Sequence, residues 1–324
     1  MKMTKSGMPF HLMVVILGMT IINLLGCQST QQNLRKANEF QNPFPNQATS
    51  YRNSRFPYVT DKTTDPKPRL KMTSNDFETL GDVYLSNGNF HMAFVNYEKS
   101  LKLNSENATA HYKKGLLLVD AGWNEDAIKA FQDALKCQPE NGMAYEGLGQ
   151  AFFQMKKYDE SEHEFQKAIK RDPKLWKAHN FLGNIYDYQK RYDLAIKEYA
   201  AAILLKPDEG ILYNNIGVSY SLAGKYNEGI TAFYKALKTK TSKSKVYNNL
   251  GLVLAKTGRY QEALEAFRKG KGEAQAYNNL GCIYLNQGEL EKAISCFEKA
   301  IAINPTYYAK ASENLRKARM ATVH

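Results

Sequence analysis

Histidines, cysteines and side-chain amides are the residues of this chain whose types and spacing could do chemistry. His163 lies between Glu162 and Glu164 and has no partner at metal-ligand spacing. Cys137, Cys282 and Cys296 form no CxxC pair. Cys282 and Cys296 fall on opposite helices of one predicted hairpin, which makes buried thiols a better reading than a disulfide. No phosphate-cradling glycine loop, strained nucleophile turn or dinucleotide fingerprint occurs. The sequence therefore predicts no catalytic residues, no metal and no cofactor. The amides are different. Asn180, Asn184, Asn214, Asn215, Asn248, Asn249, Asn278 and Asn279 recur at regular spacing, with Lys177, Lys245, Asp187 and Tyr188 among them. A side-chain amide both donates and accepts, so it can pair with an extended peptide backbone without demanding a sequence.

The elements that must position these amides follow from a glycine period. Glycine recurs at 81, 115, 149, 183, 217, 251 and 281, thirty-four residues apart except for a last step of thirty. An aromatic residue or leucine follows each glycine by three: Tyr84, Leu118, Phe152, Tyr186, Tyr220, Leu254 and Tyr284. Twelve residues beyond each glycine comes a small residue: Ala93, Ala127, Ser161, Ala195, Gly229, Ala263 and Ala293. An aromatic comes four later, at Tyr97, Phe131, Phe165, Tyr199, Phe233, Phe267 and Phe297, then another small residue three beyond that. Spacings of three and four place these positions on one helix face, and a constant period of this size marks a solenoid of helix pairs.

The pattern resembles the tetratricopeptide repeat (TPR), including the proline that closes a unit at Pro139, Pro173, Pro207 and Pro305. The resemblance implies an all-α, right-handed superhelical solenoid. It divides the chain into seven repeats, 74–107, 108–141, 142–175, 176–209, 210–243, 244–273 and 274–307, with a capping helix and tail at 308–324. Lys310, Glu313, Arg316, Lys317 and Arg319 give that helix the polar face a terminal cap needs. His111 and His179 occupy an aromatic packing slot of their repeats. The sixth repeat, closed by Gly270-Lys271-Gly272, is four residues short, and this should change how the seventh stacks on it. The fifth lacks its proline, and Lys238 to Lys243 reads as a solvated loop.

In this family the first helix of each repeat lines a concave groove. The slots that face it carry the asparagines above, together with Lys177, Lys245, Asp187 and Tyr188. Asn215, Asn249 and Asn279 resemble the asparagine ladder of peptide-binding repeat proteins. Asn180, Asn184, Asn215, Lys245 and Asn249 meet three of the five positions of the carboxylate clamp that grips a partner's C-terminus. Both resemblances imply that the partners are other proteins, held through the groove.

Ahead of the repeats, Lys2 and Lys5 precede an apolar run from Leu12 to Leu25, too short for a comfortable membrane span and suited to a signal peptide over residues 1–26. Leu24-Leu25-Gly26-Cys27 resembles the lipobox of bacterial lipoproteins, which implies cleavage before Cys27, lipidation of its thiol and new amino group, and attachment to the membrane. Gln28 in place of Asp argues for the outer membrane. From there to residue 73 the chain is rich in Gln, Asn, Ser, Thr and Pro without a sustained apolar period, and reads as a disordered tether spanning roughly 40 Å.

The formal charge of +12 is a test of nucleic-acid binding, and its distribution answers it. Residues 28–73 carry +5 and the tail from 308 carries +3, whereas residues 74–307 hold thirty basic and twenty-eight acidic side chains. A nucleic-acid face should concentrate its positive charge on the fold. The combined expectation is a lipid-anchored, non-enzymatic scaffold on the periplasmic face of the outer membrane. The lipobox with a repeat array resembles pilotins and the tight-adherence pilus lipoprotein, which points to pilus or secretin biogenesis. A scaffold for cell-wall enzymes or exopolysaccharide export is the alternative, and an accessory of a glycosyltransferase is disfavoured because no catalytic domain fits in the remaining sequence.

Overall fold

A computed structural model of the protein describes residues 71–304 and 308–321. The expected signal peptide, Cys27 and the tether lie outside these residues. Among the described residues there are fifteen α-helices and no strand. They are α1 (Ser74–Ser86), α2 (Phe90–Leu103), α3 (Ala108–Asp120), α4 (Asn124–Cys137), α5 (Gly142–Gln154), α6 (Tyr158–Arg171), α7 (Trp176–Tyr188) and α8 (Tyr192–Leu205). They continue with α9 (Gly210–Leu222), α10 (Tyr226–Leu237), α11 (Lys243–Lys256), α12 (Tyr260–Lys271), α13 (Glu273–Asn286), α14 (Leu290–Ile303) and α15 (Tyr308–Ala321). None is long and apolar enough to cross a membrane. The described chain falls into two compact units, residues 71–253 and 254–321.

Local sequence sets the helix boundaries. The side chains of Asn89, Asn107 and Asn141 accept hydrogen bonds from the third backbone N–H of α2, α3 and α5, and Thr73 and Asp76 form a reciprocal capping box on α1. These bonds satisfy donors that a helix start otherwise leaves orphaned. The link between α12 and α13 is one residue, Gly272, at φ 87°, a left-handed conformation that only glycine adopts without strain. The shortened sixth repeat thus keeps its second helix to Lys271, through the first two residues of the Gly270-Lys271-Gly272 closure, and gives up the closing turn. The expected loop is non-helical from Lys238 to Ser242, with Lys243 already opening α11, and it closes over Gly210, where an added Cβ would collide with Thr239 and Thr241.

Within the first unit, α1 packs on α2, α3 on α4, α5 on α6, α7 on α8 and α9 on α10; in the second, α13 packs on α14. The repeating glycine is the point of contact. A Cβ on Gly81, Gly115, Gly149, Gly183, Gly217 or Gly281 would lie 2.4–2.8 Å from the ring of Tyr97, Phe131, Phe165, Tyr199, Phe233 or Phe297 respectively. Each aromatic of the second helix therefore rests on the backbone of the first helix in its own hairpin, rather than only filling the gap to the next. Phe131 also lies against Gly147 of the following hairpin, so one ring seals two interfaces. All six rings are fully buried. Burial of a side chain of that size contributes about 2–3 kcal/mol, repeated at every turn of the stack. The first helices α3, α5, α7 and α9 also touch one another in succession, forming a continuous layer.

Candidate functional site

The asparagines are inside the first-helix layer. Asn180, Asn214 and Asn249 are 1–2% exposed and Asn215 is 7% exposed. Asn249 Nδ2 donates to Asn214 Oδ1 at 3.0 Å, Asn214 Nδ2 to Asn215 Oδ1 at 3.4 Å, and Asn215 Nδ2 to Asn180 Oδ1 at 3.0 Å. The four amides form a relay that crosses from α11 through α9 to α7. In the second unit Asn314 Nδ2 donates to Asn278 Oδ1 at 3.0 Å, with both residues buried. For Asn215 and Asn249 this placement corrects the expectation of a ladder open to the groove: buried amides need partners, and these find one another. Asn184 is buried as well and accepts from Tyr199 Oη at 2.7 Å, a hydroxyl that also lies 3.0 Å from Asp187 Oδ2. Four members of the clamp pattern, Asn180, Asn184, Asn215 and Asn249, are therefore committed to the fold. Asn248 and Asn279 are half-buried, and Asn279 Oδ1 accepts from Gln275 at 2.8 Å.

What the layer leaves accessible is charged and aromatic. Lys245 is exposed, Lys177 is half-buried, and Tyr188 is 61% exposed with its ring centroid 4.5 Å from that of Tyr158. Lys177 shares an electrostatic neighbourhood with two carboxyls from the preceding first helices. Desolvation pushes the Glu146 carboxyl on α5 up, against the opposing pull of Lys177 and of a hydrogen bond that its Oε2 accepts from Ala178 N–H at 3.2 Å. That bond caps the start of α7, whose own N-cap residue Leu175 supplies no side-chain acceptor. Desolvation likewise raises the Asp120 carboxyl at the end of α3, again opposed by Lys177. Asp120 itself is exposed at the last turn of α3. Tyr112 is pushed up to about 12, by burial first and then by the charge of Glu146. Tyr112 and Asp120 on α3, Glu146 on α5 and Lys177 on α7 thus belong to the first helices of three successive hairpins.

Tetratricopeptide-repeat family models match residues 81–122, 112–175, 146–211, 208–270 and 274–307. The chain belongs to the TPR family. Among solved structures it is similar to the APC/C hetero-tetramer Cut9-Hcn1, at 20% identity and a TM-score of 0.54, covering 78% of this chain and 49% of that one. A tetratricopeptide repeat protein from Parabacteroides merdae ATCC 43184 matches at 16% identity and a TM-score of 0.53, covering 76% of this chain and 98% of that one. MamA matches at 30% identity and a TM-score of 0.45, over 49% of this chain and 93% of its own. No curated relative matches the chain. TPR solenoids are protein-interaction scaffolds, and the layer of first helices is their binding side.

Three TPR residues at this site escaped sequence reading: Tyr112, Asp120 and Glu146. All three stand in groove-facing slots of repeats two and three, so the signal was present in the register. His179 also does more than fill a slot, because its Nδ1 lies 2.7 Å from Glu198 Oε2 on α8. Cys137 and Cys296 are free and Cys296 is the expected buried thiol, whereas Cys282 is disulfide-bonded, which corrects its reading as a thiol.

Proposed function

We propose that this TPR protein is a lipid-anchored adaptor on the periplasmic face of the outer membrane, where it holds a protein partner during envelope assembly, with pilus or secretin biogenesis as the setting. The observation that carries the binding side is the groove formed by α3, α5 and α7. There the Lys177 ammonium at the start of α7 acts on two carboxyls that desolvation raises, Asp120 and Glu146, and Tyr188 stands exposed at the far end of the same helix. Desolvated charge costs stability and is offset when a partner supplies opposite charge and hydrogen bonds. The membrane side rests on Gly26-Cys27 after a short apolar run. Three acyl chains there would exceed the two signals that stable anchoring needs.

The test is affinity purification of the full-length tagged protein from its native membrane, beside Cys27→Ala and Lys177→Glu/Tyr188→Ala forms. A secretin recovered with the parent, mislocalised with Cys27→Ala and lost with the groove variant is the expected result. Cell-wall hydrolases or polysaccharide exporters in its place would move the setting but keep the adaptor. Equal recovery of the same partners by all three forms would refute both the anchor and the groove.

A further inference from the structure

The last helix, α15, is built as the first helix of an eighth hairpin. Its Asn314 donates to Asn278, just as Asn215 donates to Asn180 and Asn249 to Asn214. Its Ala311, three residues earlier, is fully buried, like Leu212 and Val246 three before Asn215 and Asn249. In that register the position two beyond the donor asparagine is Gly217 in α9 and Gly251 in α11, and in α15 it is Arg316. Three residues further on, where the repeats carry Tyr, Phe or Leu, α15 carries Arg319. These two positions belong to the face that a second helix covers, as Phe297 covers Gly281 one hairpin earlier. Among the described residues no second helix lies on this face.

What lies there is a cleft of about 640 Å³ between α14 and α15. Its floor is apolar, made of Ile301, Ala302, Leu315 and Met320, and its rim holds Arg316, Arg319 and Glu298. Met320 is 56% exposed. Arg319 Nη2 donates to Glu298 at 2.7 Å, and Arg316 Nη1 lies 3.6 Å from Met320 Sδ. The helix as a whole carries Lys310, Arg316, Lys317 and Arg319 against Glu313 alone. An arginine in the glycine slot blocks the aromatic that six other hairpins insert there, and asks for a carboxylate instead. The tether of this chain, at +5, has the wrong charge to supply one.

We propose that the α14–α15 cleft is a docking seat for an amphipathic, acidic helix of a partner protein, which completes the eighth hairpin in trans. The partner's apolar face covers Ile301, Leu315 and Met320, and a carboxylate replaces the usual aromatic and meets Arg316. This seat is distinct from the groove of α3, α5 and α7, and stands whether or not that groove binds.

The probe is a fluorescein-labelled peptide with the sequence of the second helix Leu290–Ile303, carrying Cys296→Ser and Phe297→Glu, titrated into the full chain and read by anisotropy. Saturable binding is expected, weakened at least tenfold when the peptide keeps Phe297 and at least tenfold by Arg316→Glu or Met320→Glu in the protein. A peptide with Phe297→Lys should recover binding to the Arg316→Glu protein. Arg316 and Met320 are exposed, and an unchanged helical circular dichroism spectrum checks that the variants fold. Absence of saturable binding, or binding indifferent to Arg316→Glu, would overturn the proposal. So would concentration-dependent self-association abolished by Arg316→Glu, because the occupant would then be a second copy of the chain.

Discussion

Replacing Asn249 with Ala removes the donor at one end of the amide relay and leaves Asn214 Oδ1, in a residue 2% exposed, without the bond it accepts at 3.0 Å. A buried acceptor left unsatisfied costs about 1–3 kcal/mol, more than the roughly 1 kcal/mol that an intact hydrogen bond contributes net. Asn214→Ala should cost a similar amount, since it strands the Asn249 donor and the bond to Asn215 together. The double variant leaves neither partner stranded, so its cost should fall short of the sum by about 1 kcal/mol. Urea denaturation followed by circular dichroism measures these costs as shifts in the midpoint at constant m. Solenoids can unfold in segments, so hydrogen exchange in α9 and α11 should report the same loss locally. Single-variant costs under about 0.3 kcal/mol, or strict additivity, would refute the relay. The amides would then be free for a ligand, as the sequence alone suggests.

Gly217→Ala should lose about 1–2 kcal/mol in thermal unfolding, because its Cβ would sit 2.8 Å from the buried Phe233 ring and overpacking of that kind outweighs the roughly 1 kcal/mol gain in helix propensity. Lys156→Gly and Lys190→Gly should each stabilise by about 0.5–1 kcal/mol, since both lysines hold φ near 60° where a side chain is strained, as the midpoint of urea unfolding will show. Glu146→Gln should raise stability at pH 7 with a gain that shrinks on acidification. The folded-state pKa of Glu146 is raised, so its ionised form is the disfavoured one, and protonation through that pKa removes the penalty in the parent; a gain independent of pH would contradict this sign.

How much of this was legible in the sequence depends on what each residue had to declare. The glycine at 217 and the aromatic at 233 fix one another by contact, and both recur at thirty-four residues with one step of thirty, so the hairpins were readable from the period alone. Asn215 and Asn249 obeyed the same period, yet period fixes a slot and not a side-chain environment. A first-helix slot can face the groove or the next hairpin, and the half-turn between them decides whether an amide meets a peptide or another amide. Glu146 was harder still. Its role as the cap of α7 depends on the absence of an acceptor at Leu175, a deficit in one repeat met by a residue of the one before.

The same logic explains why the groove should be probed through its charges and its tyrosine rather than its ladder. Substituting Asn215, Asn249 and Asn279 together would remove binding and stability at once, since two of the three are buried links between hairpins. Lys177→Glu and Tyr188→Ala touch accessible side chains, and neither caps a helix nor joins the relay. A solenoid of this kind keeps its repeats together with side chains that hardly vary in role: a glycine, a ring and an amide. The residues free to specify a partner are those that break the pattern. Arg316 in the glycine slot breaks it most sharply, because no hairpin built on the usual aromatic can close over it. That is why an acidic helix from outside the chain is a better match for the α14–α15 cleft than another copy of the repeat.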